Sequence, residues 1–224
     1  MLPPVCYICG KSCSGEYGLC ESCMRDIKII PAPHCIKCGR RVSSDKNICG
    51  ECCSKTTHID QGLSCCLYEG SIKESIHLFK YKGFTGLIDI FGELMASFLK
   101  KNSFEDRIDL IVPVPMHPSK RREKRYNHAD ILAHRLSRSF SVPTDCNNLK
   151  KIRWTSPQSE MDKKSRFDNI KDTFLVIDKN IFSGKNILVV DDVYTTGATV
   201  NECAKVLKKA GSCKVFSFTL ARGA

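Results

Sequence analysis

Four C-x-x-C pairs near the amino terminus constrain the fold of this chain more than any other feature of its sequence. The second two pairs repeat the first two with a shift of 29 residues, and ten residues separate the pairs within each copy. The local contexts also match, since "CYICGK" in the first copy resembles "CIKCGR" in the second. The pattern therefore indicates two copies of one small unit.

Each copy supplies four thiolates, which together form the usual ligand set of a tetrahedral structural zinc ion. Two thiolates separated by two residues converge on one ion when the chain turns tightly, and Gly10 and Gly39 permit that turn. We predict two structural zinc ions, one per copy, because four sulfur ligands leave no open coordination position. Interleaved pairing between the copies and a rubredoxin-like iron site are the alternatives. The predicted metal ligands are Cys6, Cys9, Cys20, Cys23, Cys35, Cys38, Cys49 and Cys52.

The distribution of cysteine along the chain favours metal ligation over disulfide bonding. Twelve of the 15 cysteines lie in the first 66 residues, and a cysteine-poor segment of ordinary domain length follows them. The amino terminus has no signal-peptide pattern, and no apolar run approaches the roughly 18 residues of a membrane helix. We therefore expect a cytoplasmic protein without membrane insertion.

The rest of the chain alternates apolar strand patterns with amphipathic helix patterns. Strands without polar alternation, separated by helices, predict a parallel sheet with helices on both faces. We therefore expect an α/β domain at residues 61–224, preceded by the metal-binding module at residues 1–60. The predicted strands are 63–68, 108–115, 173–177, 186–190 and 214–220, and the predicted helices are 71–83, 87–101, 129–140 and 198–211.

The stretch "NILVVDDVYTTGATV" carries the strongest functional signal of the α/β domain. An apolar strand pattern ends at Asp191 and Asp192, and small hydroxyl residues with Gly197 lead into a helix. Backbone NH groups at such a helix start form a nest for a phosphate group. The carboxylates suit another part of the ligand, because they accept strong hydrogen bonds from vicinal hydroxyl groups. The pattern predicts a ligand that joins a sugar diol to a phosphate, as in ribose 5-phosphate.

The segment "VVDDVYTTGAT" resembles the phosphoribosyl pyrophosphate signature of type I phosphoribosyltransferases. The resemblance implies that the two aspartates bind the ribose hydroxyls, that the loop at 195–199 binds the 5-phosphate, and that Mg²⁺ accompanies the ligand. The implied ligand-binding residues are Asp191, Asp192, Thr195, Thr196, Gly197, Ala198 and Thr199. The implied pyrophosphate loop is Pro113, Val114 and Pro115.

The order of the motifs is similar to that of ComF-type competence proteins, which also carry an N-terminal double zinc ribbon. "DLIVPVP", "RYNHAD", "TSPQSEMDKKSRFDNI", the signature and a closing "LAR" follow one another as they do in that family. The family usually reads R-G-[FY]-N-Q-A where this chain has Arg125 in the glycine position and His128 in the glutamine position. The resemblance implies a type I phosphoribosyltransferase-like fold after the zinc ribbons.

Two polar segments complete the predicted site. Residues 153–169 resemble the mobile loop that closes over the active site in phosphoribosyltransferases, and Gln158, Arg166 and Asn169 match its polar positions. The cations of residues 119–125 could neutralise pyrophosphate or DNA phosphates, and a solvated basic face is the alternative. Trp154 could stack on a base or anchor the loop. The predicted nucleic-acid contacts are Lys120, Arg121, Arg122, Lys124, Arg125 and Trp154.

The charge of the chain agrees with a phosphorylated ligand or a nucleic acid. Residues 61–224 carry +9 of the formal net charge of +11, although a solvated basic surface would look the same. The family resemblance implies a role in natural transformation, with phosphoribosyl pyrophosphate, single-stranded DNA and other DNA-uptake proteins such as a helicase as partners. The alternatives are an active phosphoribosyltransferase with a nitrogenous acceptor and a non-catalytic sensor of phosphoribosyl pyrophosphate.

Overall fold

The structure is a computed structural model in which residues 5–13, 18–84, 86–124, 126–155 and 169–223 are described. Its helices are α1 (Glu21–Arg25), α2 (Gly50–Cys53), α3 (Gly70–Lys82), α4 (Leu87–Lys101), α5 (Pro118–Lys124), α6 (His128–Phe140) and α7 (Ala198–Lys209). Its strands are β1 (Gln61–Leu67), β2 (Leu110–Pro113), β3 (Leu149–Lys151), β4 (Phe174–Val176), β5 (Asn186–Tyr194) and β6 (Lys214–Arg222). Short 3₁₀ turns occur at Glu105–Arg107 and Lys179–Ile181.

The central sheet has four strands in the order β1-β6-β5-β2, and every neighbouring pair is parallel. Alternate side chains of these strands enter two different cores, because successive residues of a strand point to opposite faces. Ile111, Leu188 and Phe218 pack with α3, α4 and α6 on one face. Val112 and Val189 pack with α7 on the other. The predicted parallel sheet with helices on both faces is confirmed.

One predicted strand, 173–177, does not belong to this sheet. It forms β4, which pairs antiparallel with β3 in a separate two-stranded sheet. Phe174 is buried, but Leu175 and Ile177 are exposed, so the segment lacks the two-sided burial that a central parallel strand has. The sequence pattern did not identify β3, which has only three residues and two lysines among them.

Strand β5 is longer than the apolar run that predicts it. The ladder with β6 continues through Asp191 and Tyr194, whose partners are Thr219 and Arg222. The two aspartates therefore lie on the strand, whereas the sequence places them in the loop after it. The reason is that β6 runs to Arg222 and supplies backbone partners beyond the apolar residues of β5.

The chain leaves neighbouring strands β2 and β5 toward opposite faces of the sheet. After β2 it reaches α6 on the face that carries α3 and α4, and after β5 it enters α7 on the other face. A crevice therefore forms beyond the carboxyl ends of these two strands, which is where ligands bind in open α/β sheets. Among the helices in the described ranges, none has the length and hydropathy required to span a membrane.

The two cysteine repeats contact different parts of the α/β fold. We call residues 6–23 ribbon 1 and residues 35–52 ribbon 2. Leu19 of ribbon 1 joins the core formed with α3 and α4. Ribbon 2 borders the sheet, since the Gly62 amide of β1 donates to the Ile36 carbonyl at 2.8 Å. The proposed division at residue 60 stays a prediction.

Candidate functional site

The eight predicted metal ligands form two separate clusters, one in each ribbon. Cys6, Cys9, Cys20 and Cys23 form the first, and Cys35, Cys38, Cys49 and Cys52 form the second; within each, the sulfur atoms lie within 4.8 Å of one another. A tetrahedral ZnS₄ centre with bonds of about 2.3 Å places its sulfur atoms about 3.8 Å apart. The Cys9–Cys20 and Cys38–Cys49 sulfur separations, 3.6 and 3.7 Å, fit that geometry. The pairing is sequential within each repeat, so interleaved pairing is wrong.

The acid pair of β5 faces a buried lysine from helix α3. Lys80 Nζ lies 2.8 Å from Asp192 Oδ1, and both side chains are mostly buried. Burial acts to lower the pKa of Lys80, but the neighbouring Asp192 and Asp191 carboxylates outweigh it and the net shift is upward. The lysine therefore stays charged and offsets part of the negative charge of the acid pair.

Asp191 titrates near neutrality. Burial raises the pKa of Asp191 to about 7, with a further contribution from the Asp192 carboxylate, while Lys80 and Lys151 act in the opposite direction. The Asp192 amide donates to Asp191 Oδ1 at 2.9 Å, which fixes the orientation of the carboxyl group. A site with one carboxylate that changes charge near pH 7 can bind hydroxyl groups in a pH-dependent way.

The loop at 195–199 has the geometry of an anion nest. Gly197 has a φ of +78° and is the N-cap residue of α7, so the chain enters the helix through a left-handed turn. The Ala198 amide donates to Thr196 Oγ1 at 3.4 Å. Thr199 and Gly197 line a cavity of about 440 Å³ together with both aspartates. The start of α7 therefore points its amides toward the space beside the acid pair.

The predicted pyrophosphate loop lies on the other side of the crevice. Pro113 ends β2, and the next amide, that of Val114, donates to the Val190 carbonyl at 2.8 Å. Asn127 is buried, and its side-chain amide donates to the Val114 carbonyl at 3.0 Å while its Oδ1 caps α6. Pro115 and Val114 line a second cavity of about 220 Å³ that also reaches Asp191.

Four lysines surround this second cavity, and they come from four different segments of the chain. They are Lys80 from α3, Lys120 and Lys124 from α5, and Lys151 from β3. Burial lowers the pKa of Lys151, and its Nζ donates to Thr155 Oγ1 at 2.7 Å. No motif assigns a role to Lys80 or Lys151, since neither lies near the signature in sequence. Tertiary structure alone brings them to the acid pair.

The predicted nucleic-acid residues do not form one surface. Lys120 and Lys124 line the crevice, and Lys124 also donates to the Lys80 carbonyl at 3.3 Å. Arg121 faces away from them and pairs with Asp130 at 3.2 Å. Arg122 is exposed on α5, and Arg125 lies outside the described residues. The segment that carries these cations is a short helix, which separates its side chains to different sides.

The predicted loop residues are only partly described. Asn169 lies at the start of a turn before β4, whereas Gln158 and Arg166 fall outside the described residues. Trp154 is 52% exposed and lines the crevice, with its ring edge-to-face to His117 at 5.6 Å. The tryptophan is therefore placed where a planar group entering the crevice could meet it.

His128, which occupies the family's glutamine position, is buried beneath the crevice. Its side chain is in edge-to-face contact with Phe79 and Tyr126, and burial lowers its pKa. Among the described residues its Nε2 has no hydrogen-bond partner. The histidine is therefore neutral at pH 7 and forms part of the floor of the site.

Two family models match the two parts of the chain. A double zinc ribbon domain matches residues 1–53, and a phosphoribosyl transferase domain matches residues 127–224. Among solved structures, adenine phosphoribosyltransferase from Saccharomyces cerevisiae aligns at 17% identity with a TM-score of 0.39, over 66% of this chain and 72% of that chain. The family match at the ribbons favours zinc over iron at the two four-cysteine sites.

Three relatives cover most of this chain. Competence protein F of Haemophilus influenzae is 30% identical over 209 residues, which is 92% of this chain and 90% of that protein. Competence protein ComFC of Bacillus subtilis is 31% identical over 72% of this chain and 64% of its own length. DNA utilization protein YhgH of Escherichia coli is 25% identical over 99% of this chain and 98% of its own length. The chain therefore belongs to the competence protein F family, in which a double zinc ribbon precedes a domain of the type I phosphoribosyltransferase fold.

Proposed function

We propose that this protein binds phosphoribosyl pyrophosphate with Mg²⁺ in the crevice between β2 and β5, and single-stranded DNA on the adjoining basic surface, during natural transformation in the cytoplasm. The observation that carries the proposal is the position of the acid pair beside the Gly197 nest, in a crevice lined by four lysines. A phosphate nest and a pair of diol acceptors match the two ends of a ribose 5-phosphate group.

Each part of this ligand has a matching group in the crevice. The 5-phosphate would bind the amides at 195–199, and the ribose hydroxyls would bind the Asp191 and Asp192 carboxylates. The pyrophosphate would lie between Val114 and the lysines, which supply the positive charge that four phosphate oxygens require. Mg²⁺ keeps several waters and prefers phosphate and carboxylate oxygens, so it would enter with the ligand beside the acid pair.

Isothermal titration calorimetry with isosteric variants tests the diol assignment. Asp191→Asn combined with Asp192→Asn should weaken ribose 5-phosphate binding by about 100-fold or more, because two charge-assisted hydrogen bonds are lost. The same variant should bind inorganic pyrophosphate at least as tightly as the wild type, since the site becomes more positive. Unchanged ribose 5-phosphate affinity, or an equal loss for both ligands, would contradict the assignment.

Single-stranded DNA binding is supported by the exposed cations beside the crevice and by the names of the relatives, which refer to competence and to DNA utilization. Arg122 is exposed on α5, and the partly exposed Lys120 and Trp154 line the same rim. Cations bind the backbone and an exposed aromatic ring can stack on bases without sequence preference. DNA-uptake proteins such as a helicase are the partners expected at this stage.

Charge reversal distinguishes this surface from a generally basic protein. Lys120→Glu with Arg122→Glu should reduce affinity for a single-stranded oligonucleotide and lower the salt dependence by about 0.7 per lost phosphate contact. The matched control is Lys100→Glu with Lys101→Glu at the end of α4, which leads into the start of β2 and so lies at the opposite edge of the sheet. Equal losses in both variants would refute a defined DNA surface.

The second candidate is an active phosphoribosyltransferase, which the exposed Trp154 at the mouth of the crevice favours. A nitrogenous acceptor could stack on that ring next to the ribose site. Release of pyrophosphate from phosphoribosyl pyrophosphate, measured across a panel of bases with and without single-stranded DNA, separates transfer from binding. Binding without release would leave a non-catalytic sensor.

A further inference from the structure

Ribbon 2 lies directly against the end of strand β5, next to the loop proposed to bind phosphate. The side chain of Tyr194 packs on the cluster formed by Cys35, Cys38 and Cys49. Tyr194 is the last residue of β5, so a single side chain separates the predicted metal centre from the start of the 195–199 loop.

The other end of Tyr194 rests on the loop itself. A Cβ atom at Gly197 would overlap the hydroxyl and ring of Tyr194, so the ring lies flush against the glycine backbone. Gly197 also needs its left-handed φ of +78° to begin α7. Glycine is required here both by conformation and by the closeness of this tyrosine. The ring therefore acts as a spacer between ribbon 2 and the turn.

Arg222 holds Tyr194 from a second direction. Arg222 is only 2% exposed, its guanidinium lies 5.0 Å from the Tyr194 ring centroid, and it donates to the Cys38 carbonyl at 2.7 Å. A zinc ion with four thiolates carries a net charge of −2, which is a suitable partner for a buried guanidinium. Loss of the metal centre would leave this cation without that charge and would loosen its contact with the ring.

A hydrogen-bonded connection runs from the segment after ribbon 2 to the same turn. Asn201 Oδ1 accepts from the His58 amide at 2.7 Å and from Thr57 Oγ1 at 3.0 Å. The Asn201 amide donates to the Gly197 carbonyl at 2.9 Å. Ribbon 2 and the residues that follow it therefore contact the first turn of α7 at two independent points.

We propose that metal-loaded ribbon 2 positions the phosphate loop, with Tyr194 as the positioning residue, so that metal occupancy of ribbon 2 and binding of a phosphorylated ligand are coupled. The proposal rests on the proposed function of the 195–199 loop. Coupling between two sites is reciprocal, so each event must strengthen the other by the same factor. Ribbon 1 serves as the internal control, since it packs on α3 and α4 instead.

Hydrogen exchange measured by mass spectrometry tests the coupling in the absence of ligand. Cys49→Ser removes a ligand of ribbon 2, and Cys20→Ser removes the equivalent ligand of ribbon 1. We expect amides of 195–201 to exchange at least about tenfold faster in Cys49→Ser and within about twofold of wild type in Cys20→Ser. Equal rates in the two variants would overturn the proposal.

A second measurement keeps all eight metal ligands in place. Tyr194→Ala should speed zinc transfer from ribbon 2 to a chromogenic chelator and weaken ribose 5-phosphate binding about tenfold, whereas Tyr194→Phe, which retains the ring, should restore both. Ribose 5-phosphate should in turn slow zinc loss from ribbon 2 only. If the wild type binds no ribose 5-phosphate but Cys49→Ser still loosens 195–201, the proposed function fails and the positioning contact stands. If Tyr194→Ala leaves the rate of zinc loss unchanged, the positioning role fails.

Discussion

Ribbons 1 and 2 descend from one sequence repeat but have different surroundings in the fold. Both place four sulfur atoms in a cluster of the same size. In ribbon 1, Cys9 is exposed and Cys20 is half-buried, whereas in ribbon 2 only Cys52 is not fully buried. Ribbon 2 has its sulfur atoms covered because the sheet edge and Tyr194 lie against it. Ligand spacing therefore fixes the local structure of a repeat, and its neighbours decide what that structure supports.

Removal of one metal ligand from each ribbon should produce the largest difference. Cys38→Ser and Cys9→Ser should each leave one zinc per chain by elemental analysis, since structural zinc contributes about 10–16 kcal/mol to the folding of small modules. The melting temperature should fall further for Cys38→Ser, because ribbon 2 borders β1 and buries Arg222 beside it.

The control is Cys53→Ser, since Cys53 is exposed and belongs to neither cluster. It should retain two zinc ions and the wild-type melting temperature. A larger melting-temperature loss from Cys9→Ser than from Cys38→Ser would reverse the comparison.

Equivalent glycines give a smaller and cleaner test. Gly10 and Gly39 have φ values of +71° and +70°, so alanine costs about 1–2 kcal/mol of conformational strain at either position. Among the described residues, a Cβ at Gly10 meets nothing within 4 Å, whereas one at Gly39 would lie 2.5 Å from the Ser64 amide nitrogen. Gly39→Ala should therefore cost about 2 kcal/mol more than Gly10→Ala. Equal free energies of unfolding in urea would show that β1 and ribbon 2 separate readily.

The pH dependence of ligand binding tests the site beside ribbon 2. Because the folded-state pKa of Asp191 is raised to about 7, the carboxyl is protonated below that pH and loses acceptor strength. Ribose 5-phosphate affinity should fall by up to about tenfold, or 1.4 kcal/mol, per pH unit below 7. The phosphate itself protonates near pH 6, so the slope that remains in Asp191→Asn measures that contribution.

The same group affects stability with a defined sign. The folded state holds the Asp191 proton more tightly than the unfolded state, so this residue makes folding less favourable as pH rises from about 4 to 7. Asp191→Asn should therefore be more stable than wild type at pH 8 by urea denaturation, with a smaller difference at pH 4. Cys20→Ser should leave the binding profile unchanged, and a shifted profile would link ribbon 1 to the site.

The rate of zinc loss should show the smallest difference. With excess chelator the wild type should release zinc in two phases, and the faster phase should come from ribbon 1 because Cys9 is exposed. Cys20→Ser should remove the faster phase and Cys49→Ser the slower one. Assignment of the phases in the opposite order would show that the cover over ribbon 2 opens more often than that over ribbon 1.

The sequence predicted the parts of the fold that depend on local pattern. The bounds of helix 87–101 and the eight metal ligands agree with the structure, because amphipathic spacing and C-x-x-C turns are local properties. The strand at 173–177 was placed in the wrong sheet, and β3 was not identified, because pairing partners 25 residues apart leave no local signal. The helix α5 was seen only as a basic segment.

The candidate site divides in the same way. The sequence determined the acid pair, the Gly197 turn and the two sulfur clusters, since each is encoded within one or two turns of chain. Only the tertiary structure decided that Lys80 faces Asp192, that Lys151 lines the same crevice, and that ribbon 2 rests on Tyr194. These contacts join residues more than a hundred positions apart or from different elements, and they depend on the parallel sheet order that brings β2, β5 and β6 together.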